Sequence, residues 1–583
     1  MHIITILGPC LAEAPSKDYS GGPADSSPSP AKSTLPPSSP VRNILTVQGN
    51  TLNNINREIA IFKIDIPGIG KILLAANRDS INNPIPLIQP NWDGITDPGN
   101  LPLFLNANAS YGGTRLAKPE EGFTKAIESL LILAKFESDA KHRILNSLIS
   151  DSDGPLAGLI DKNNCMRFGL TAPAGSGMRD IPKGYKVPDE FFKLKFRGGR
   201  CVIYPESKEV YEKLLARDSD LYDRTFRVLG GFLNGRLKAD EINFYGDKVD
   251  EMTIPPGSLF LTPDYGSNAE VADILYKHTP HVLGVSPKRG GGGGKSSYTV
   301  SFLKGAFLSY LNINPRFGHI DTLVTLIGSA GAIGKGFTRV IEEMGYRNVR
   351  VSDLKYDLNR VEVIGDKKRI YFHSPEINPD GSEVKYHEVP SSWKVVSAEP
   401  GKYTNESLSG SKPGIYVMTT VGHELENSAY NLLPKESAVF LAHNFSFPNG
   451  FSGCDLASKL LRIPVDLFTG PQLTPGGAFY SRLEAAHRAS KGISFNSKDV
   501  PPFPKVLVHS FGENLGFRLT EETLAPLVIE QARRLSGGIV IDSNKLKDVM
   551  RRMHFGTSFI NHVVRRANKP NPIFKEIAGS LTI

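Results

Sequence analysis

Apolar residues along this chain follow two rhythms, and their order predicts an α/β protein. Between Thr322 and Lys355 an apolar run, Leu323 to Ile327, leads into Gly328, Gly331 and Gly334. Ile333, Phe337, Val340, Ile341 and Met344 then recur at helical spacing, and Gly345 stands where such a helix would stop. Val349 to Val351 is a second apolar strand, ending in Ser352 and Asp353. The pattern is a βαβ unit whose first turn carries no bulky side chains, which leaves the amides at the helix start free to approach a pyrophosphate. Asp353 lies 25 positions beyond Gly328, close to where a carboxylate accepts the ribose hydroxyls of NAD and repels the 2′-phosphate of NADP. The glycine spacing is GxxGxxG rather than GxGxxG, so the assignment rests on strand, turn, helix, strand and acid together. The alternative is a Rossmann-type layer with no ligand.

Upstream, Glu58 to Ile66 is β-rich, Pro67 to Gly70 is a turn, and Lys71 to Ala75 can pair back as a hairpin. Phe123 to Phe136 carries Ile127, Leu130, Leu131 and Ala134 on one helical face. Phe196–Tyr204 and Ser258–Leu261 read as strands, and apolar strands recur at Ile415–Met418 and Val439–Ala442. Residues 142–185, 236–256 and 357–414 look like insertions. Ala14 to Val41 is dominated by Ser, Pro, Ala, Gly and Lys and predicts a disordered tail, since it has too little apolar surface to offset its ordering entropy. The expected division is a tail over 1–42, a substrate-binding α/β domain over 43–310, a Rossmann-type dinucleotide domain over 311–498, and C-terminal helices over 499–583 that pack back across the cleft.

Composition narrows the function classes. With 583 residues, 40% of them hydrophobic, the chain can bury more than one core. Its net charge of +8 is spread over 68 basic and 60 acidic residues, a poor argument for nucleic-acid binding. The basic residues Arg551, Arg552, Arg565, Arg566 and Lys569 surround apolar Phe559, Ile560, Val563 and Val564, as on a solvated amphipathic helix. The four cysteines, Cys10, Cys165, Cys201 and Cys454, form no CxxC and suggest neither zinc nor a disulfide framework, which fits a reducing, cytoplasmic setting. No apolar run reaches the length of a membrane span, and the opening MHIITILGPCLA lacks the basic start of a signal peptide.

Three further strings add a family resemblance. LTPDYGSNAEVADILYKHTPHVLGVSP (Leu261 to Pro287) resembles the interdomain stretch of the glutamate/leucine/phenylalanine/valine dehydrogenases. YGGTRLAKPEEGFTKAIESLLILAKFESDAKHRI (Tyr111 to Ile144) is similar to that family's glycine-pair strand and following helix. RIPVDLFTGPQLTPGGAFYSRLE (Arg462 to Glu484) resembles its later Asn-Ala-Gly-Gly segment. The strings occur in the family's order and span roughly Asn106 to Glu484.

The resemblance implies NAD-dependent oxidative deamination of an amino acid: hydride leaves the α-carbon, a lysine of lowered pKa polarises the carbonyl, and an aspartate shuttles protons. Carried over, the aspartate is Asp264, the carboxylate-holding backbone pair is Gly112 and Gly113, and the carboxylate-holding lysine is Lys141 after a one-residue slip, with Lys135 the alternative. Gly328, Gly331, Gly334 and Asp353 take the cofactor, and Thr419, Thr420 and Asn444 occupy strand ends that touch cofactor or substrate. The catalytic lysine does not carry over: Phe196-Arg197-Gly198-Gly199-Arg200-Cys201 puts Arg200 there, and Thr474-Pro475 replaces Asn-Ala before Gly476-Gly477. An arginine donates hydrogen bonds but cannot give up a proton near neutral pH. Three readings stay open: another group (Lys193, Lys195 or a histidine) supplies the acid, Arg200 polarises a 2-oxo or 2-hydroxy acid, or the chain is a non-catalytic NAD-binding protein.

Smaller features fit around this frame. Gly290 to Gly294, followed by Lys295-Ser296-Ser297, reads either as a mobile cleft loop or as a flexible connector; it is no P-loop, since the first glycine of that motif would fall on Arg289. His278 and His281 are three apart around Pro280 and read as packing residues rather than metal ligands. His423 follows a presumed strand end facing the cofactor crevice. Asp264 is either a cleft acid or a helix cap. A Gly334-Lys335-Gly336 string gives a distant third reading, of the adenosylhomocysteine hydrolase type. The expected partner is a small amino, 2-hydroxy or 2-oxo acid, with no nucleic acid, no membrane, and assembly as a homo-oligomer.

Overall fold

The computed structural model describes residues 57–118, 120–149, 186–264, 268–377, 383–399, 402–403, 405–408, 412–420, 432–442, 466–468, 473–535, 542–552 and 555–568. The expected tail, most of the expected insertion at 142–185, Asn444 and His423 lie outside these residues. The described chain is an α/β protein built on two large sheets.

The first sheet holds β1 (Ile59–Ile66), β2 (Gly70–Asn77), β3 (Ser110–Leu116), β4 (Arg197–Pro205), β5 (Ala239–Ile242), β6 (Lys248–Met252) and β7 (Leu259–Pro263), in the order β6-β5-β1-β2-β4-β3-β7. β1 and β2 form the expected antiparallel hairpin, with Ile66 opposite Gly70 and left-handed backbone at Gly68 and Gly70 in the turn. The expected insertion at 236–256 instead supplies β5 and β6, which extend this sheet antiparallel from β1. β3 runs parallel to both β4 and β7. Strand ends that point the same way gather at one edge, so the last residues of β7 emerge beside the glycines of β3.

The predicted helix after β3 is α1 (Phe123–Ile132), which continues through a π turn at Leu133–Ser138 into α2 (Asp139–Ile149). The π turn has a local cause. A Cβ on Gly198 of β4 would collide with Ala134 O and lie 2.7 Å from Asp139 N, and Gly198 N–H donates to Asp139 Oδ1 at 3.1 Å. Helix and strand therefore touch backbone to backbone, and the widened turn relieves the crowding.

The second sheet contains β8 (Val324–Ile327), β9 (Val349–Ser352), β13 (Lys394–Val395), β14 (Ile415–Met418), β15 (Ala438–Leu441) and β16 (Asp466–Phe468), in the order β13-β9-β8-β14-β15-β16. All its pairings are parallel, and counted from β8 the order is 3-2-1-4-5-6, the doubly wound Rossmann arrangement. The expected insertion at 357–414 proves to contain an antiparallel meander, β10 (Tyr356–Ile364), β11 (Lys367–Ile377) and β12 (Glu383–Pro390), between the second and third parallel strands.

Helices join the two sheets. α3 (Ser219–Leu233) and α4 (Ala269–Tyr276) cover the first, and α6 (Ala332–Glu343) covers the second. α5 (Ser296–Ile313) belongs to both cores: Tyr298 and Phe302 pack with the first unit, and Leu303 to Ile313 with the Rossmann sheet. α8 (Lys505–Leu535) does the same, Val508 to Leu519 on one side and Leu524 to Ile529 on the other. α7 (Pro475–Ser490) packs into the first unit's core, while α9 (Ser543–Arg552) and α10 (Thr557–Asn568) close over the second.

Candidate active site

The glycine pair of β3 makes the site's floor. Gly113 pairs with Thr262, and Thr114 with Pro263, so Asp264 leaves β7 directly beside the pair. A Cβ on Gly112 would fall on Gly199 O, and one on Gly113 would lie 2.8 Å from Asp264 Cβ and 2.9 Å from Arg200 Nη1. Only glycine lets two charged side chains meet over this strand. Arg200 and Asp264 form an ion pair there, with Arg200 buried and Asp264 half-buried. Asp264 thus sits in the cleft cluster, on a guanidinium rather than on a helix end. Among the described residues, Arg200 Nε finds no hydrogen-bond partner.

The titratable cation of this cluster is Lys295, which the sequence reading passed over. Lys193 and Lys195 are exposed, whereas Lys295 is half-buried at the N-cap of α5. Desolvation lowers its pKa to about 8; Asp264 opposes that shift, and Arg200 and Lys141 add to it. All four charges therefore act on one small volume. The glycine run places Lys295 there. Gly293 N–H donates to Val285 O at 3.0 Å, Gly292 N–H to the Tyr480 hydroxyl at 2.8 Å, and that hydroxyl donates to Gly293 O at 3.2 Å. A Cβ on Gly292 would strike the Tyr298 hydroxyl and lie 2.6 Å from the Tyr480 ring. Tyr298 is stacked between Tyr480 at 4.2 Å and His509 at 4.3 Å. Gly290 to Gly293 are therefore packed backbone, which fits neither the mobile loop nor the flexible connector expected from the sequence. Gly477, one of the two glycines after Pro475, lies against the lysine stem: a Cβ there would be in ordinary contact with Lys295 Cβ at 3.6 Å and would press on Thr299 Oγ1 at 3.3 Å.

Lys141 acts on the same cluster but is paired with Glu137 one helical turn before it. Its alternative, Lys135, pairs with Glu58. Deeper in, the Tyr111 hydroxyl meets Ser481 Oγ at 2.5 Å, and burial raises its pKa. Next to Ser481, Arg482 is completely buried, and desolvation alone lowers its pKa to about 9. It bonds to Asn146 Oδ1, and no carboxylate among the described residues pairs with it. α7 also carries Glu484, His487 and Arg488, so nothing in the sequence singled out Arg482.

The dinucleotide turn follows β8. Gly328 has φ +80°, and a Cβ there would lie 2.6 Å from Thr420 Cγ2. A Cβ on Gly334 would overlap Gly328 O, so this glycine brings helix and strand together. Gly331 is the N-cap of α6 and offers no side chain to cap the helix, so among the described residues its first-turn amides have no side-chain cap. Asp353 closes the turn from β9: its Oδ2 accepts from Ala330 N–H at 2.8 Å and its Oδ1 from Lys355 N–H at 3.0 Å. The Thr419 hydroxyl donates to Gly328 O at 2.9 Å and so braces the turn. This donor set fits a dinucleotide: uncapped amides for a pyrophosphate, no side chain to obstruct it, and an acid at the adjacent strand end. The two halves of the site lie on neighbouring helices, for Val300, five residues beyond Lys295, packs on Gly336, five residues beyond Gly331.

Two sequence candidates stay structural. His281 is buried, bonds to Thr279 at 3.1 Å, and burial lowers its pKa to about 3. His278 bonds to Asp223 at 2.9 Å. No group of metal-ligating side chains occurs among the described residues, and none of their helices is long and apolar enough to cross a membrane.

No protein-family model matches the sequence, and no curated protein matches it. Solved structures do resemble the chain in arrangement. L-tryptophan dehydrogenase from Nostoc punctiforme is 12% identical over 89% of this chain and 99% of its own, with a TM-score of 0.39. The hetero-hexameric glutamate dehydrogenase from Thermus thermophilus, in a leucine-bound form, is 12% identical over 88% of this chain and 87% of its own, with a TM-score of 0.41. Another glutamate dehydrogenase is 10% identical over 91% and 89%, again with a TM-score of 0.41. All three are amino-acid dehydrogenases by name.

Proposed function

We propose that this protein is an NAD-dependent oxidoreductase acting at the α-carbon of an amino or 2-hydroxy acid, with Lys295 as its acid–base group. The observation that carries the reading is Lys295, held at a pKa of about 8 beside Asp264 and Arg200. A proton-transfer group works best when its pKa lies near the working pH, and an arginine at position 200 cannot meet that condition. Lys295, from the start of α5, thus supplies what Arg200 cannot.

A dinucleotide held at this turn would supply the hydride acceptor. The chain's own residues do the rest. The amides at the start of α6 would hold the pyrophosphate, and Asp353 would take the ribose hydroxyls. Gly112 and Gly113 let the substrate lie against backbone, where Arg200 grips its carboxylate. Lys295 hydrogen-bonds the α-oxygen or nitrogen, taking its proton during oxidation and returning it during reduction. Asp264, paired with Arg200, stabilises the charged form of Lys295. Holding both reactants in line removes most of the remaining entropic barrier. A multi-copy assembly belongs to the same reading and is checked by light scattering.

The pH dependence follows from the sign of the shift. Below about pH 8 Lys295 is an ammonium and donates; above it, the amine accepts. Therefore kcat/KM for oxidation rises through about pH 8, and kcat/KM for reduction falls through the same value.

One observation favours a second reading, a non-catalytic NAD-binding protein: Asp264 is neutralised by Arg200, and a carboxylate so held is a poor base. NADH formation across a panel of L-amino acids and 2-hydroxy acids separates the two, with Arg200→Lys run beside the native chain. Turnover by the native protein supports catalysis. NADH binding without turnover in either protein supports the second reading.

A further inference from the structure

The connection from the second to the third parallel strand of a doubly wound sheet is ordinarily a helix. Here the described part of it is dominated by the meander β10–β12, which is fastened to the glycine turn. The Tyr356 hydroxyl, at the start of β10, contacts Ser329 Oγ at 2.7 Å and His387 Nδ1 of β12 at 2.6 Å. Tyr356 stands three residues beyond Asp353, so the meander begins where the ribose acid ends.

Two ammonium groups converge beside that point. Lys335, on the first turn of α6, reaches Glu376 Oε2 at 2.5 Å and lies 5.0 Å over the Phe372 ring. Lys355, whose amide is bonded to Asp353, pairs with the other oxygen of the same Glu376 carboxylate. One lysine comes from the phosphate-facing helix, one from the ribose-facing strand end, and the acid between them from β11. Burial alone would raise the Glu376 pKa, but the two lysines bring it below its usual value, so it is ionised at neutral pH.

We infer that Glu376 is a specificity-determining residue that excludes NADP. Its carboxylate occupies the place between Lys335 and Lys355 where a 2′-phosphate would find two cations, and Asp353 adds a second negative charge on the ribose side. A phosphate monoester and a carboxylate recruit ammonium groups by the same charge-assisted hydrogen bonds, so only one can hold this pair. The meander thus contributes cofactor choice as well as a wall. This inference rests on the dinucleotide reading of the glycine turn.

The test is a fluorescence titration of the full chain with NADH and with NADPH, for the native protein, Glu376→Gln, and Glu376→Gln combined with Lys335→Met or Lys355→Met. Circular dichroism verifies that each variant is folded. The native protein prefers NADH. Glu376→Gln lowers the NADH-over-NADPH ratio roughly tenfold, about what one uncompensated charge contributes at a partly exposed site. Either lysine substitution added to Glu376→Gln reverses that change. An unaltered ratio in folded Glu376→Gln overturns the inference while leaving the dinucleotide reading intact, and so does a native preference for NADPH. If the native protein binds neither nucleotide, the dinucleotide reading itself fails and takes this inference with it.

Discussion

Arg200 is a permanent cation and Lys295 a titratable one, and that difference decides which can move a proton. The sequence displayed Arg200 openly, in a Gly-Gly-Arg string before a strand, and placed Asp264 in the cleft segment. It hid Lys295, because convergence of a loop lysine on a strand arginine is a tertiary event with no local pattern. Its one sequence signal is a lysine directly after five glycines, at the start of an apolar helix and downstream of the cleft acid. Asp353 was legible because strand, turn and helix lengths fix its position mechanically. Gly331 gives a clean single-residue test. An Asp at this N-cap is good helix chemistry, and a Cβ there meets only Gly328 O at 3.3 Å. Gly331→Asp should therefore keep its melting temperature within a few degrees yet lose NADH binding by more than about a hundredfold, through charge and bulk set against the pyrophosphate. Undiminished affinity by titration would remove this turn from the site.

At the scale of elements, strands with alternating or continuous apolar runs were read to within a residue or two: Phe196–Tyr204 became Arg197–Pro205, and Ile415–Met418 stands unchanged. The meander escaped notice because its outer residues follow no inward–outward rhythm, with Val363 and Ile364 exposed next to each other. The glycine run was ambiguous for a different reason. Glycine is selected both for freedom and for close approach, and only the neighbours distinguish the two. Here Tyr298, Tyr480 and Phe503 crowd Gly292. Gly292→Ala should thus cost about 1–3 kcal/mol in denaturant unfolding, as overpacking does, and should lower kcat by displacing Lys295. A silent substitution would mean that the loop yields freely and does not position the lysine.

The whole molecule is held together by two helices that each serve both cores. α5 and α8 cross so closely that a Cβ on Gly305 would overlap Glu513 O, and one on Gly516 would overlap Phe302 O. Lys304 and Glu513 form an ion pair at 3.3 Å beside the crossing. Replacing a mid-helix glycine by alanine ordinarily stabilises by about 1 kcal/mol. Gly305→Ala should reverse that sign and destabilise by about 1–3 kcal/mol, read from the denaturation midpoint; a gain in stability would contradict the crossing. The expectation of two α/β units was accessible from segment order, but the shared helices were not, since the spacing of apolar residues along a helix does not reveal which neighbours it serves. Their geometry underlies the proposed function, because α5 carries Lys295 at its start and packs, through Val300 on Gly336, against the helix that follows the glycine turn. The most direct measurement is the pH profile of kcat/KM for the native protein beside Lys295→Met. The native protein should show a limb with an apparent pKa of about 8, and the variant both loss of that limb and a fall of about a thousandfold, the scale of a lost general acid–base group. A variant that keeps the limb and the rate would show that Lys295 is not the acid–base group.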